Sequence, residues 1–180
     1  MHKISAWILK LLGWSIVGVF PPKDKKYVIA VGPHTSNWDF PLGLLVRSAR
    51  QAKVVFIGKH TLFKFPYGFI FRWLGGYPVD RRRSTNFVDS VVKIFNEKEE
   101  FSVVISPEGT RKKVEKMKTG FYYIAKTAGI PLMLCKFDWQ RKEVVFSETF
   151  LTTENEKSDF EKIYSYFRGV KGKNPQWGID

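Results

Sequence analysis

The stretch YVIAVGPHTSNWDF, residues 27–40, is the part of the sequence that most directly predicts the fold. Its first five residues form an apolar run that ends at a Gly-Pro turn, a pattern typical of a short buried strand. A polar loop follows, and residues 40–50 then have the pattern of a helix. A strand, a loop and a helix in this order predict the opening unit of an α/β sheet.

The rest of the chain continues this alternation. Several of the apolar runs are continuous, as strands buried on both faces usually are. We therefore expect an α/β fold with a mostly parallel central sheet flanked by helices, preceded by an N-terminal amphipathic helix. The predicted strands lie at 53–58, 77–79, 101–105, 130–137 and 143–147, and the predicted helices at 86–98, 119–128, 156–167 and part of 61–74.

The N-terminal residues 4–20 are apolar but are interrupted by Lys10 and by small residues. This stretch is at or below the roughly 17 residues that a spanning helix needs, so a transmembrane helix is not expected. Its large apolar side chains share one helical face. The helix either lies on a membrane or packs on the protein's own core, and we favour the membrane. The residues of that face are Ile4, Trp7, Ile8, Leu11 and Leu12.

Charge and composition indicate the kind of partner. The chain has 180 residues, a formal net charge of +13 and 16% aromatic residues. An excess of positive charge indicates nucleic acid, an acidic membrane surface or a phosphorylated substrate. Aromatic rings combined with many cations favour the membrane interface, and no pattern typical of a nucleic-acid-binding motif is present. The single cysteine, Cys135, lies in an apolar run, which favours packing over a nucleophilic role.

His34 and Asp39 are the first candidates for chemistry. A neutral imidazole accepts a proton from a hydroxyl most effectively when a carboxylate fixes its tautomer. Five positions across a loop-to-helix junction allow such a contact. Polar residues are also common at helix starts, so Asn37 or Asp39 acting only as a helix cap is the alternative.

Two further polar clusters follow predicted strands. SPEGTRKK at 106–113 combines a glycine, where the backbone can approach a ligand, with Arg111, whose planar fork suits a phosphate. GGYPVDRRR at 75–83 contains three consecutive arginines, and a solvated charge run, the usual meaning of such a stretch, is the alternative to a binding role here. Ligands of open α/β sheets bind at the carboxyl ends of strands, so the Glu108–Arg111 motif is expected to meet His34 and Asp39.

Four motifs in order resemble those of the glycerolipid and lysophospholipid acyltransferases, the 1-acylglycerol-3-phosphate acyltransferase-like family. The resemblance covers roughly residues 27–135. It implies an O-acyltransferase domain at 21–180, behind an amphipathic membrane-associating helix at 1–20. The motifs are His34-x4-Asp39, Gly76-x-Pro78-Val79-Asp80-Arg81, Pro107-Glu108-Gly109-Thr110-Arg111 and Ile130-Pro131.

By this resemblance, His34 is the general base and Asp39 its orienting partner. The resemblance implies direct attack of an acceptor hydroxyl on an acyl thioester, with acyl-CoA or acyl carrier protein as donor and with no bound cofactor or metal. The expected acceptor is a lyso-phospholipid, namely 1-acylglycerol-3-phosphate, and the alternative is another lyso-lipid such as an amino-acid-containing one. The residues expected to bind the acceptor are Gly76, Arg81, Glu108, Gly109, Thr110 and Arg111.

The predicted partners are an anionic bilayer surface, the acceptor and the acyl donor, without nucleic acid. The predicted location is the cytoplasmic face of the membrane, as a peripheral or monotopic protein. The aromatic segment 63–74 would line an acyl groove, dip into the interface or form an ordinary core face. Two other functions stay open: a non-catalytic basic membrane-binding protein and a thioester hydrolase.

Overall fold

The computed structural model describes residues 2–79 and 84–177, and its elements follow the predicted alternation. The helices are α1 His2–Leu11, α2 Asp39–Ala49, α3 Gly68–Trp73, α4 Ser84–Glu97, α5 Gly120–Ala128 and α6 Glu156–Phe167, with short 3-10 helices at His60–Phe63 and Pro175–Trp177. The strands are β1 Ser15–Val17, β2 Lys26–Gly32, β3 Val55–Lys59, β4 Gly76–Val79, β5 Phe101–Ile105, β6 Leu132–Asp138 and β7 Glu143–Phe146.

Within the described residues, seven strands form one sheet in the order β1-β7-β6-β2-β5-β3-β4. The five strands from β6 to β4 run parallel. The strands from β2 to β6 are joined by crossover connections that contain a helix, as parallel strands require. The β6–β7 pair is antiparallel and is joined by a short turn, and β1 pairs parallel to β7. The predicted mostly parallel α/β sheet is confirmed.

Each face of the sheet has its own apolar core. Alternate residues of β2 point to opposite faces, so Val28 lies in one core and Ile29 in the other. The Val28 core is covered by α4, α5 and α6, and its largest helix side chains include Phe95, Phe121 and Phe167. The second core is covered by α1 and α2, which contribute Leu9, Leu42 and Val46.

The centre of the sheet is a topological switch point. Strands β2 and β5 are neighbours, yet the helix after β2 covers one face and the helix after β5 covers the other. The two connections therefore diverge at the carboxyl ends of these strands, and such a switch point is where α/β sheets have their ligand-binding crevice. The loop from 33 to 38 and the loop from 106 to 119 both begin at this crevice.

The N-terminal helix is shorter than the predicted segment 1–20. It ends at Leu11, where the backbone N–H of Trp14 bonds to the carbonyl of Leu9, and Ser15–Val17 is then a strand of the sheet. A three-residue strand inside an apolar run has no periodicity that separates it from a helix. Among residues 2–79 and 84–177, no helix has the length and apolar character to cross a membrane.

Large apolar side chains are exposed mainly on one side of the molecule. α1 packs on α2, and Arg47 of α2 donates through Nη1 to the carbonyl of Leu74 at 2.6 Å, so α3 also lies on the α2 side of the sheet. Phe65 and Trp73 are 97% and 76% exposed there. We call this surface the apolar face: Ile4, Trp7, Leu11, Leu12, Leu62, Phe65, Tyr67, Phe69, Ile70 and Trp73.

Candidate active site

His34 and Asp39 are in direct contact. The His34 Nδ1 and Asp39 Oδ2 atoms are 3.0 Å apart, and the side chains are 23% and 2% exposed. Because Nδ1 faces a carboxylate, the proton of the neutral imidazole belongs on Nδ1 and the lone pair on Nε2. Within the described residues Nε2 has no hydrogen-bond partner, so this nitrogen is left for a ligand.

Asp39 bonds to the loop before α2 and does not cap the helix. Its Oδ2 accepts the backbone N–H groups of Thr35 and Ser36 at 3.0 and 2.9 Å. The N-cap position is Trp38, and it makes no side-chain capping bond. One carboxylate oxygen thus contacts the imidazole and accepts two backbone N–H groups, and these bonds hold the loop in place around His34.

Glu108 connects the two loops of the crevice. Its Oε1 accepts the backbone N–H of His34 at 2.7 Å, and its Oε2 accepts the hydroxyl of Ser106 at 2.7 Å. The side chain is only 2% exposed, and burial raises the pKa of its carboxyl, although both hydrogen bonds oppose that shift. These contacts are those of an internal brace, and the predicted contact of Glu108 with an acceptor stays a prediction.

The loop after Glu108 is exposed and basic. Gly109 turns the chain with φ at +63°, a conformation that favours glycine, and the side chain of Lys118 packs over it. Thr110 and Arg111 follow and are exposed. Within the described part of the chain no group pairs with the Arg111 guanidinium. The loop thus offers cations beside the crevice, and the predicted binding roles of Gly109, Thr110 and Arg111 stay predictions.

The second predicted cluster is only partly described. Gly76 begins β4, and a Cβ atom there would lie 2.7 Å from the Phe71 carbonyl and 2.8 Å from the rings of Phe56 and Phe63. Close packing therefore accounts for glycine at this position. Arg81, the predicted acceptor-binding arginine, lies outside the described residues.

Trp139 is a site residue that the sequence did not indicate. Its indole Nε1 donates to Asp39 Oδ1 at 2.8 Å, across a separation of one hundred residues. The polar tail after α6 was likewise overlooked. Asn174 donates through its backbone N–H to Thr35 Oγ1 and through Nδ2 to the Thr35 carbonyl, at 3.1 and 2.7 Å. Contacts this distant in sequence have no local pattern.

Cys135 lies in the sheet and is 2% exposed. Burial raises the pKa of its thiol well above the ordinary value, which disfavours the reactive thiolate. Among the described residues, no three His, Cys, Asp or Glu side chains form a cluster that would hold a metal ion.

A protein-family model described as Acyltransferase matches residues 18–135, more than half of the chain. The crystal structure of the 1-acyl-sn-glycerophosphate (LPA) acyltransferase PlsC from Thermotoga maritima is similar, with a TM-score of 0.61 and 22% sequence identity. The similarity covers 94% of this chain and 76% of the PlsC chain. At 22% identity it shows a shared fold and nothing further. No curated protein matches the chain.

Proposed function

The chain belongs to the acyltransferase family, and from this premise we propose that it moves a fatty acyl group from a thioester to the hydroxyl of a lyso-phospholipid. The acceptor that we propose is 1-acylglycerol-3-phosphate, and the donor is acyl-CoA or acyl carrier protein. The observation on which the proposal rests is the 3.0 Å contact between His34 Nδ1 and Asp39 Oδ2 at the carboxyl end of β2.

The proposed reaction uses the free nitrogen of His34. Nε2 accepts the proton of the acceptor hydroxyl as its oxygen attacks the thioester carbonyl. Asp39 stabilises the imidazolium that forms. Collapse of the tetrahedral intermediate breaks the C–S bond, and the imidazolium returns the proton to the departing thiolate. No enzyme nucleophile is needed, which agrees with the buried thiol of Cys135.

The basic loop 109–118 supports an acceptor that carries a phosphate. Glu108, the residue before this loop, accepts the backbone N–H of His34, so the loop begins next to the proposed base. The exposed guanidinium of Arg111 suits bidentate contact with a phosphate, and Lys118 adds a second charge over Gly109. Arg81 is proposed as a further acceptor contact on the basis of its motif.

We further propose that the protein binds peripherally to an anionic membrane through its apolar face. Both substrates carry acyl chains, so the reaction belongs at a bilayer surface. Large aromatic side chains stand exposed on α1 and near α3, and the net charge of +13 favours anionic lipid. The 1–20 segment, whose helix spans His2–Leu11, and the 21–180 domain are proposed to act together at one surface.

His34→Ala is expected to lower acyl transfer from palmitoyl-CoA or palmitoyl carrier protein to lysophosphatidic acid by roughly 10²- to 10⁴-fold, since that is the usual contribution of a general base. His2→Ala is the matched control, because it removes an exposed imidazole at the start of α1. Product formation and thiol release are measured together. Equal loss in both variants, or no loss in either, would contradict the proposed base.

The same assay identifies the acceptor with a panel of lyso-lipids. Arg111→Ala should lower kcat/KM for lysophosphatidic acid by roughly ten- to hundredfold, as expected for a lost charge-assisted hydrogen bond, whereas Arg50→Ala at the end of α2 should not. If product forms only with an amino-acid-containing lyso-lipid, the proposed acyl transfer holds but the proposed acceptor is wrong. Free fatty acid without acceptor would indicate a hydrolase, and liposome binding without any turnover would indicate a non-catalytic protein.

A further inference from the structure

The Asp39 carboxylate is held from two sides. Its Oδ2 atom accepts bonds from the loop and from His34, as described above. Its Oδ1 atom accepts the indole N–H of Trp139 at 2.8 Å, and within the described residues no other group donates to it. Because the carboxyl torsion of aspartate is intrinsically broad, a donor on the second oxygen is what fixes the plane of the group.

Trp139 is itself held by its surroundings. It follows β6, and its backbone N–H donates to the carbonyl of Lys171 at 2.9 Å. Trp14 packs edge-on against its ring, with centroids 5.0 Å apart and planes at 89°. The ammonium of Lys173 lies 4.9 Å from the Trp139 centroid and 4.6 Å from that of Trp38. The indole therefore has little freedom to turn away from Asp39.

The tail segment 171–174 contacts the other side of the loop as well. Gly172 is buried against Thr35, and Asn174 donates two hydrogen bonds to Thr35. The Thr35 side chain has no exposed surface. One short segment thus touches both Trp139 and the loop that contains His34, and it fixes the position of one relative to the other.

We propose that Trp139 is a positioning residue for the His34–Asp39 pair, and that the tail segment 171–174 holds it in place. This proposal rests on the acyl-transfer function proposed above. With the indole donor present, Oδ2 faces His34 Nδ1 and keeps the proton on that nitrogen, so that Nε2 is the basic atom. Without it, the carboxylate turns and the imidazole populates both tautomers.

Trp139→Phe removes the N–H and retains an aromatic ring for packing. It is expected to lower kcat roughly ten- to hundredfold, as for loss of a hydrogen bond to a charged group, with little change in KM for donor or acceptor. Trp177→Phe is the matched control, because it makes the same change on an exposed indole in the tail. A variant that only loosens the fold would also alter KM and the unfolding midpoint.

A second readout does not depend on turnover. Long-range ¹⁵N NMR reports the tautomer of each of the three histidines, and the spectrum of His34→Ala assigns the signal. The wild-type protein and Trp177→Phe should show His34 protonated on Nδ1, and Trp139→Phe should show a mixture. An unchanged His34 signal in Trp139→Phe would overturn the proposal, even if kcat falls. If the acyl-transfer proposal is wrong but the positioning proposal is right, the wild type shows no turnover, while the His34 tautomer still changes in Trp139→Phe.

Discussion

Glu108 is a buried carboxyl group whose protonation is coupled to folding. Because burial raises its pKa, the folded state binds the proton more tightly than the unfolded chain does. The protonated Glu108 carboxyl therefore adds to the free energy of unfolding in full at pH values below about 4.3, the ordinary pKa of glutamate. This contribution is lost as the pH rises through the pKa of Glu108 in the folded state. The ionised Glu108 carboxylate is held in its buried position because both of its oxygens accept hydrogen bonds.

Glu108→Gln should remove this pH dependence, since its amide stays neutral and its oxygen still accepts the N–H of His34. Relative to wild type, its free energy of unfolding should rise between about pH 4.5 and about pH 8. Glu108→Ala leaves the His34 N–H without an acceptor and should cost about 1–3 kcal/mol at about pH 4.5, and less at about pH 8, where ionisation of Glu108 has already weakened the wild type. Urea unfolding at both pH values measures this. Parallel pH profiles for wild type and Glu108→Gln would contradict the assigned burial effect.

At the scale of single residues, the sequence predicted the pair but not its support. His34 and Asp39 are near neighbours at a strand-to-helix junction, so local spacing was enough to propose their contact. Trp139 and Asn174 reach the same loop from a hundred residues or more away. Neither lies in a motif, and only the assembled sheet brings them together.

Among the elements, the tail after α6 has a role that its polar composition hides. Gly172 lies against Thr35, where a Cβ atom would overlap Oγ1 and lie 2.7 Å from Cγ2. Thr35 is fully buried and cannot move aside cheaply. The tail is therefore a packed part of the domain at this point, whereas residues of an ordinary polar tail tolerate substitution.

Gly172→Ala should displace the tail from the loop and destabilise the protein by about 1–3 kcal/mol, the usual cost of overpacking. Gly43→Ala in α2 is the matched control. A Cβ there would lie 3.7 Å from the Phe137 ring, an ordinary contact, so we expect no loss and a gain of up to about 1 kcal/mol. Chemical unfolding and limited proteolysis of the tail report the effect. Equal stability of the two variants would show that the tail is not packed as described.

The elements differ in how well the sequence predicts them. Strands such as β5 and helices such as α6 are continuous patterns bounded by turn residues, and their predicted limits agree with the structure. β1 was missed because its three residues lie in an apolar run that continues from α1. Its strand state depends on pairing with β7, which no local pattern encodes.

At the scale of the whole molecule, the two sides of the sheet differ in character. The α4–α6 side buries its apolar residues, and of the large side chains there only a few, such as Tyr123 of α5, are exposed. The α1–α3 side exposes a broad set of aromatic and aliphatic groups. The sequence left open whether residues 63–74 form a core, a groove or an interface, because a helical stripe is the same in each case.

Because Phe65 is exposed on the apolar face, substitutions there test whether this face binds the membrane. Phe65→Asp and Trp7→Asp should each weaken binding to anionic liposomes by roughly tenfold or more, as expected for lost burial of a large side chain. Tyr123→Asp places the same charge on α5, on the opposite side of the sheet, and should have little effect. Co-sedimentation measures all three. Weakening by Trp7→Asp alone would limit the membrane-binding surface to α1. Equal weakening by Tyr123→Asp would mean that net charge, and not the apolar face, determines binding.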